Sequence, residues 1–476
     1  MDDGNKVDRS DSNNNSENGN GDGINIEYGL DEKPALPKAI ALAVQHISVM
    51  LVPSTAVAFI VAGNVGLGAG DTAYLVQMVL LFSGIATIVQ AYTLGPIGAK
   101  LPIVMGTSFA FVGAASTIGA DYGMAAVFGA ILVTGVLVEG FISWQFKYVK
   151  PYFPPLVSGL IVIIIGLYLI PVGMEYSAGG VGSPDFGSMQ NLGLAGLVLS
   201  IAVLCNLFLR GTARVLSILL GIVVGYIAAV LLGIVDFSPI RDAAWIEIPS
   251  PGEYGFAFEP IALLTFGFLF VVSAMETVGD MTGITAAEGR NPTKKELRGG
   301  ISADGVMSSL GAIFSAFPTT SFSQNVGIVN FTGVMSRHVV GIGGILLALL
   351  GLVPKVGATV AATPDPVFGG AVLVMVGMVA ASGMRLLFLN VDMNRRNMVI
   401  VATSLGLGLG VEIVPEALQG LPEAAQTFFG EPVIMVGIIA LLLNTFVPGE
   451  QSPLYGDPES APMEEPVEDS QTTDDD

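Results

Sequence analysis

The stretch Phe317-Pro318-Thr319-Thr320-Ser321-Phe322-Ser323-Gln324-Asn325-Val326-Gly327-Ile328-Val329-Asn330-Phe331-Thr332-Gly333 constrains this chain most. It lies among apolar segments long enough to cross a bilayer, yet it carries a proline, hydroxyls, an amide pair and glycine. A backbone broken at that depth needs internal hydrogen-bond partners, because hydrocarbon offers none. Such residues are tolerated where half-helices meet at a protected cavity, the place where many secondary transporters bind substrate. The stretch therefore predicts a polytopic carrier with part of its site built here.

The rest of the chain supports that class. Only 12% of the 476 residues are charged and 52% are hydrophobic, against about 25% charged in a soluble domain. Windows such as Val157–Pro171, Ile261–Met275 and Ile342–Val353 are too apolar and too numerous for one water-soluble core. Sixty-one glycines suit close helix packing in a membrane. The single cysteine, Cys205, excludes an intramolecular disulfide and a thiolate metal cluster, and no metal or cofactor is expected. The net charge of −21 is concentrated in the tails: residues 450–476 hold ten acidic and no basic residues, and residues 1–38 nine against four. Both tails have a disordered composition, with no signal-peptide layout at the N-terminus. They suit a halophilic, salt-rich cytoplasm or a regulatory role. The charge balance opposes a nucleic-acid partner.

Hydropathy predicts an all-α polytopic membrane protein with fourteen transmembrane segments. They fall near 38–60, 71–93, 101–118, 124–144, 155–174, 190–209, 214–236, 258–279, 301–317, 320–336, 338–354, 365–388, 397–413 and 431–448. With both termini cytoplasmic, fifteen Lys and Arg fall at inner ends and only Arg241 and Lys355 outside, as the positive-inside rule requires. The cell membrane is the expected location, with the lipid bilayer as solvent. The third segment opens Leu101-Pro102-Ile103-Val104-Met105-Gly106-Thr107-Ser108-Phe109 and the tenth opens Phe317-Pro318-Thr319-Thr320-Ser321-Phe322-Ser323. Each has proline, then hydroxyls and an aromatic, so the chain reads as two seven-segment repeats, inverted because seven is odd. Broken segments at matching positions place the site at the repeat interface.

Several polar side chains inside the segments are candidates. Gln45 and His46 lie in the first, where a ring nitrogen of His46 can orient a carboxylate or substrate. Glu276 and Asp280 are four apart on one helical face, one able to grip a ligand N–H and the other to titrate with a coupling cation, although Asp280 also stands where it can cap the helix or pair with Arg290. Asp304 opens the ninth segment and can accept a proton. Glu139, late in the fourth, reads as a snorkelling or paired group. The Gln324-Asn325 amides suit a planar heterocycle with alternating C=O and N–H groups, against which Phe109 and Phe322 can pack. A neutral or weakly acidic heterocycle fits this set better than phosphate or a dicarboxylate, while polarity alone still allows an inorganic anion.

The chain resembles the nucleobase–ascorbate transporter family, also called nucleobase:cation symporter family 2. The resemblance covers roughly residues 34–448 and rests on Gln45-His46, Thr107-Ser108-Phe109, Glu276-Thr277-Val278-Gly279-Asp280 and Gln324-Asn325-Val326-Gly327-Ile328-Val329-Asn330-Phe331-Thr332-Gly333. It implies short antiparallel strands in segments 3 and 10. It also implies a core domain (35–150 and 251–360), a gate domain (151–250 and 361–449), and disordered acidic tails at 1–34 and 450–476. Family members are commonly homodimers that symport a nucleobase with a proton or sometimes sodium. By position Glu276 is the main substrate carboxylate and Gln324 the second contact. Ser108, Phe109, Phe322 and Asn325 complete the site, and His46, Gln45, Asp280 and Asp304 support it or couple the cation. Gln324 with Asn325 and a final Gly333 look like the xanthine and uric acid branch, a purine nucleobase permease working by elevator-like alternating access, not an enzyme. The alternatives are a uracil or pyrimidine symporter of the same family, where Glu stands at position 324, and an inorganic-anion exchanger or channel of related inverted-repeat plan.

Overall fold

In the computed structural model of the protein, residues 26–149 and 154–449 are described. The expectations for the tails therefore lie outside the described residues, apart from residues 26–34. That segment is held against the loop after the tenth segment. Tyr28 bridges Val334 in parallel, the amides of Met335 and Arg337 donate to the carbonyls of Tyr28 and Leu30 at 2.8 and 3.1 Å, and Arg337 Nε reaches Asp31 at 2.6 Å.

The remainder is helical except for two three-residue strands. Among the described residues eight helices are long and apolar enough to cross a membrane, and ten if two bent pairs each count as one crossing. These bends lie between Arg337–Gly351 and Pro354–Ala361 (78°) and between Glu423–Phe429 and Pro432–Phe446 (76°), with proline opening the second helix of each pair. Ser217–Leu231 is apolar but shorter. The third and tenth expected segments are broken as predicted: β1 (Met105–Thr107) leads through a short 3₁₀ turn into Val112–Tyr122, and β2 (Thr319–Ser321) leads into Ser323–Thr332. The strands pair antiparallel with Gly106 opposite Thr320, and the Phe322 amide extends the ladder to the Val104 carbonyl at 3.0 Å. The backbone polarity of each break is thus satisfied by the other.

Several boundaries differ from the hydropathy reading, and two of them matter to the site. The eighth segment runs Pro260–Ala286 rather than ending at 279, which puts Asp280 inside the helix. The ninth starts at Lys294, because Thr293 and Glu296 form a reciprocal capping box that satisfies first-turn amides. Asp304 is therefore mid-helix and fully buried, not at a segment entrance.

Helices meet through glycine. A Cβ at Gly84 would lie 2.5 Å from the Gly344 carbonyl, and one at Gly344 would lie 2.7 Å from the Gly84 carbonyl, joining Ala69–Tyr92 to Arg337–Gly351. Gly135 and Gly305 face each other in the same reciprocal way at 2.9 and 2.4 Å. These close approaches replace the hydrophobic drive that lipid removes.

Candidate functional site

The strand pair sets the floor of a small cavity, about 30 Å³, whose lining includes Ser108, Phe109, Glu276, Thr320, Phe322 and Gln324. Its far wall comes from Val162 and Ile165 of Pro155–Tyr168 and from Val379 and Ser382 of Asp365–Asn390. No Lys or Arg lines it. Gly106 permits the floor to sit this deep. A Cβ there would stand 2.3 Å from Ser54 Oγ and 2.9 Å from both Met50 Cε and the Phe322 ring.

Glu276 is aimed by Ser108, whose hydroxyl donates to Oε2 at 3.2 Å while accepting from the Ala110 amide at 3.2 Å. The same serine thus caps the short turn and holds the carboxylate. Gln324, in the first turn of Ser323–Thr332, has no hydrogen-bond partner among the described residues, leaving its amide donor and acceptor for a ligand.

Behind the cavity the other predicted residues are tied into a network. Asp280 Oδ2 accepts from Ser321 at 2.6 Å, while Arg290 is engaged by Glu288 and Glu296 instead. Asp304 accepts from Gln90 Nε2 at 3.0 Å and from the Thr277 hydroxyl in a short contact. Thr277 also meets Thr320 of β2 at 3.1 Å, so Asp304 is two hydrogen bonds from the strand. His46 Nδ1 meets Asn325 Oδ1 at 2.9 Å, and Asn325 Nδ2 donates to the Pro102 carbonyl at 2.7 Å. This orients the amide and makes Nδ1 the donor. Both ends of Asn325 are thereby occupied in bracing segments 1, 3 and 10, and it does not line the cavity. Gln45 is buried on the first helix and does not line it either.

Sequence reasoning left out several participants. Thr277 sits within the quoted Glu-Thr motif, and Gln90 is one of two amides, with Gln77, in a mostly apolar helix, so both left a signal. Tyr168 left none: its hydroxyl donates to the Phe109 carbonyl at 2.9 Å and accepts from the Gly113 amide at 3.2 Å, joining the far wall to the segment that carries β1. Glu139, expected to snorkel or pair, is fully buried with neither oxygen hydrogen-bonded.

Residues 37–417 match the profile described as the Permease family. The uric acid permease PucK of Bacillus subtilis (strain 168) is 38% identical over 412 residues, covering 86% of this chain and 95% of the relative. The xanthine permease of the same organism is 38% identical over 408 residues, covering 86% and 93%. The structure of murine Solute Carrier 26 family member A9, an anion transporter in the inward-facing state, superposes with a TM-score of 0.59 at 13% identity, covering 87% of this chain and 69% of that one, a likeness of fold alone. The multi-pass apolar helices, the paired broken segments and these matches together show that the chain belongs to the xanthine and uric acid permease family, nucleobase:cation symporter family 2.

Proposed function

We propose that this permease takes up a purine nucleobase, xanthine or uric acid, together with a proton. The observation that carries this reading is one cavity holding a serine-oriented carboxylate, Glu276, and an unpartnered carboxamide, Gln324. The carboxylate accepts ring N–H groups, the amide pairs with an adjacent N–H and C=O edge, and Phe109 and Phe322 offer ring contacts. As a permease the protein changes no bond in its cargo. Asp280, Asp304 and His46 act behind the cavity, linking cation binding to the strand that the substrate touches.

Fourteen crossings in two inverted repeats, with cytoplasmic termini, account for the packing. Exchanging each segment with the one seven places on converts the contact of Ala69–Tyr92 with Arg337–Gly351 into that of Lys294–Ile313 with Met124–Thr134, and both contacts exist. The same exchange relates Gly84–Gly344 to Gly305–Gly135. Residues 35–150 with 251–360 act as a core carrying the site, and 151–250 with 361–449 as the gate against which it slides. We assign a homodimer and elevator-like movement on the family resemblance.

The test is uptake into proteoliposomes over a panel of xanthine, uric acid, guanine, uracil and bicarbonate, with pH and sodium gradients imposed separately. Saturable xanthine uptake driven by a pH gradient and competed by uric acid is expected. Uptake of uracil alone, or dependence on sodium alone, would replace the corresponding part of the reading. Anion exchange, suggested by the fold shared with an anion transporter, is disfavoured by a cavity with a carboxylate and no cationic side chain.

A further inference from the structure

Glu139 takes no part in the cavity, and its surroundings give it a different task. It ends the π-helical turn Gly135–Glu139, a widened turn whose Val136 amide is taken by Ser309 Oγ at 2.9 Å. It is fully buried, and neither carboxylate oxygen has a hydrogen-bond partner among the described residues. Its side chain lies against Gly305, where a Cβ would stand 3.1 Å from Oε2. The neighbouring residue on that helix is Asp304, the titratable group that faces Glu139 from Lys294–Ile313. From Pro260–Ala286 comes Ser273, the one hydroxyl placed to donate to Glu139 when it is charged, although at rest neither it nor the carboxyl group closes a hydrogen bond. The carboxylates of that helix, Glu276 and Asp280, are engaged by Ser108 and Ser321. One turn past Glu139 on the same face is Ser143. It accepts from Ser302 at 2.7 Å, donates to the Arg298 carbonyl at 2.8 Å, and its own carbonyl accepts from Arg298 Nε at 3.0 Å.

The two adjacent carboxyl groups are unequal. Asp304 as an anion is served by two donors already in place, Gln90 and Thr277; Glu139 as an anion would have the Ser273 hydroxyl alone and no cation. An uncompensated charge in the membrane interior is the costlier of the two, so a single proton shared between them resides on Glu139. We propose that Glu139 is a second proton-carrying site of the transport cycle, taking the proton that leaves Asp304 and releasing it toward the Arg298 end of the helices along Ser302 and Ser143. The O–H bond of Asp304 breaks, one forms on Glu139, and Asp304 is left as a carboxylate held by its two donors. No electrons are transferred.

This inference rests on proton-coupled transport, and the experiment separates the two. Full-length wild type, E139Q and S143A are reconstituted and assayed with xanthine in two ways: accumulation driven by a pH gradient, and exchange of internal for external xanthine at equal pH. E139Q is expected to keep exchange and to lose accumulation by about tenfold or more, within the usual range of coupling factors; S143A should slow accumulation and spare exchange. Infrared spectra at neutral pH should show a protonated carboxylic-acid band that E139Q lacks. Wild-type accumulation by E139Q, equal loss of exchange and accumulation, or an unchanged infrared band would each overturn the proposal. So would misfolding of E139Q, because the neutral amide imitates the protonated acid. Wild type that exchanges no xanthine would instead overturn the transport reading itself.

Discussion

At the residue scale, the proposed site depends on one half-buried carboxylate, Glu276, being free to grip a ligand. Glu276→Gln keeps the shape but removes the charge from each ligand hydrogen bond, worth about 1.5–3 kcal/mol apiece. Xanthine affinity in a calorimetric titration should fall at least about tenfold, with the protein still monodisperse. Gln324→Glu replaces a donor-and-acceptor with an acceptor-only group when ionised. In a competition series the order of preference should shift from xanthine and uric acid toward uracil, and a fixed ratio would show that position 324 does not read the base edge. Glu276 was legible as a carboxylate in an apolar segment and Gln324 as part of an amide pair in a broken one, whereas Ser108 entered the site only through the family resemblance. Val162, Ile165, Val379 and Ser382 were not legible, since a cavity-lining valine and a lipid-facing valine look alike in sequence. Asn325 was legible as important but not as a brace, because its partners His46 and the Pro102 carbonyl lie in two other segments.

At the scale of elements, hydropathy located the segments but misplaced their ends. It measures transfer to lipid, whereas helix boundaries are set by capping: Thr293 and Glu296 start the ninth segment ahead of its first apolar run. The strand pair was readable only through a resemblance, as three-residue strands carry too little pattern of their own. Its packing on the first helix is testable. Gly106→Ala puts a methyl group 2.3 Å from Ser54 Oγ, an overpacking expected to cost about 1–3 kcal/mol. Thermal unfolding in detergent should move down and xanthine binding should weaken together, because the floor of the cavity is what shifts. Tyr168→Phe removes two hydrogen bonds, to the Phe109 carbonyl and from the Gly113 amide, worth about 1 kcal/mol each, at the contact between the far wall and the β1 segment. Its expected signature is a changed transport rate with little change in xanthine affinity, measured as turnover against binding on the same preparation.

For the whole molecule, the segment at 26–34 is clamped by charge at two points, Glu27 to Lys38 at 2.8 Å and Asp31 to Arg337 at 2.6 Å. The Arg337 guanidinium hydrogen-bonded to Asp31 holds that carboxyl below the usual carboxylate range. A depressed value means the contribution is present above the ordinary carboxylate pKa and is lost as pH falls through the depressed one. Amide exchange at Met335 and Arg337 should therefore be faster in D31N than in wild type at neutral pH, and the two should converge in acid. Larger consequences follow from β1 having its partner in the other half of the chain. During synthesis the first half of the chain is made with the Met105–Thr107 edge lacking the partner that Thr319–Ser321 later supplies. A fragment ending in the 236–258 loop should be degraded when made alone, yet should persist when the second half is supplied as a separate polypeptide. In biogenesis, then, that outcome would make the strand pair the feature by which a finished chain is told from an unfinished one.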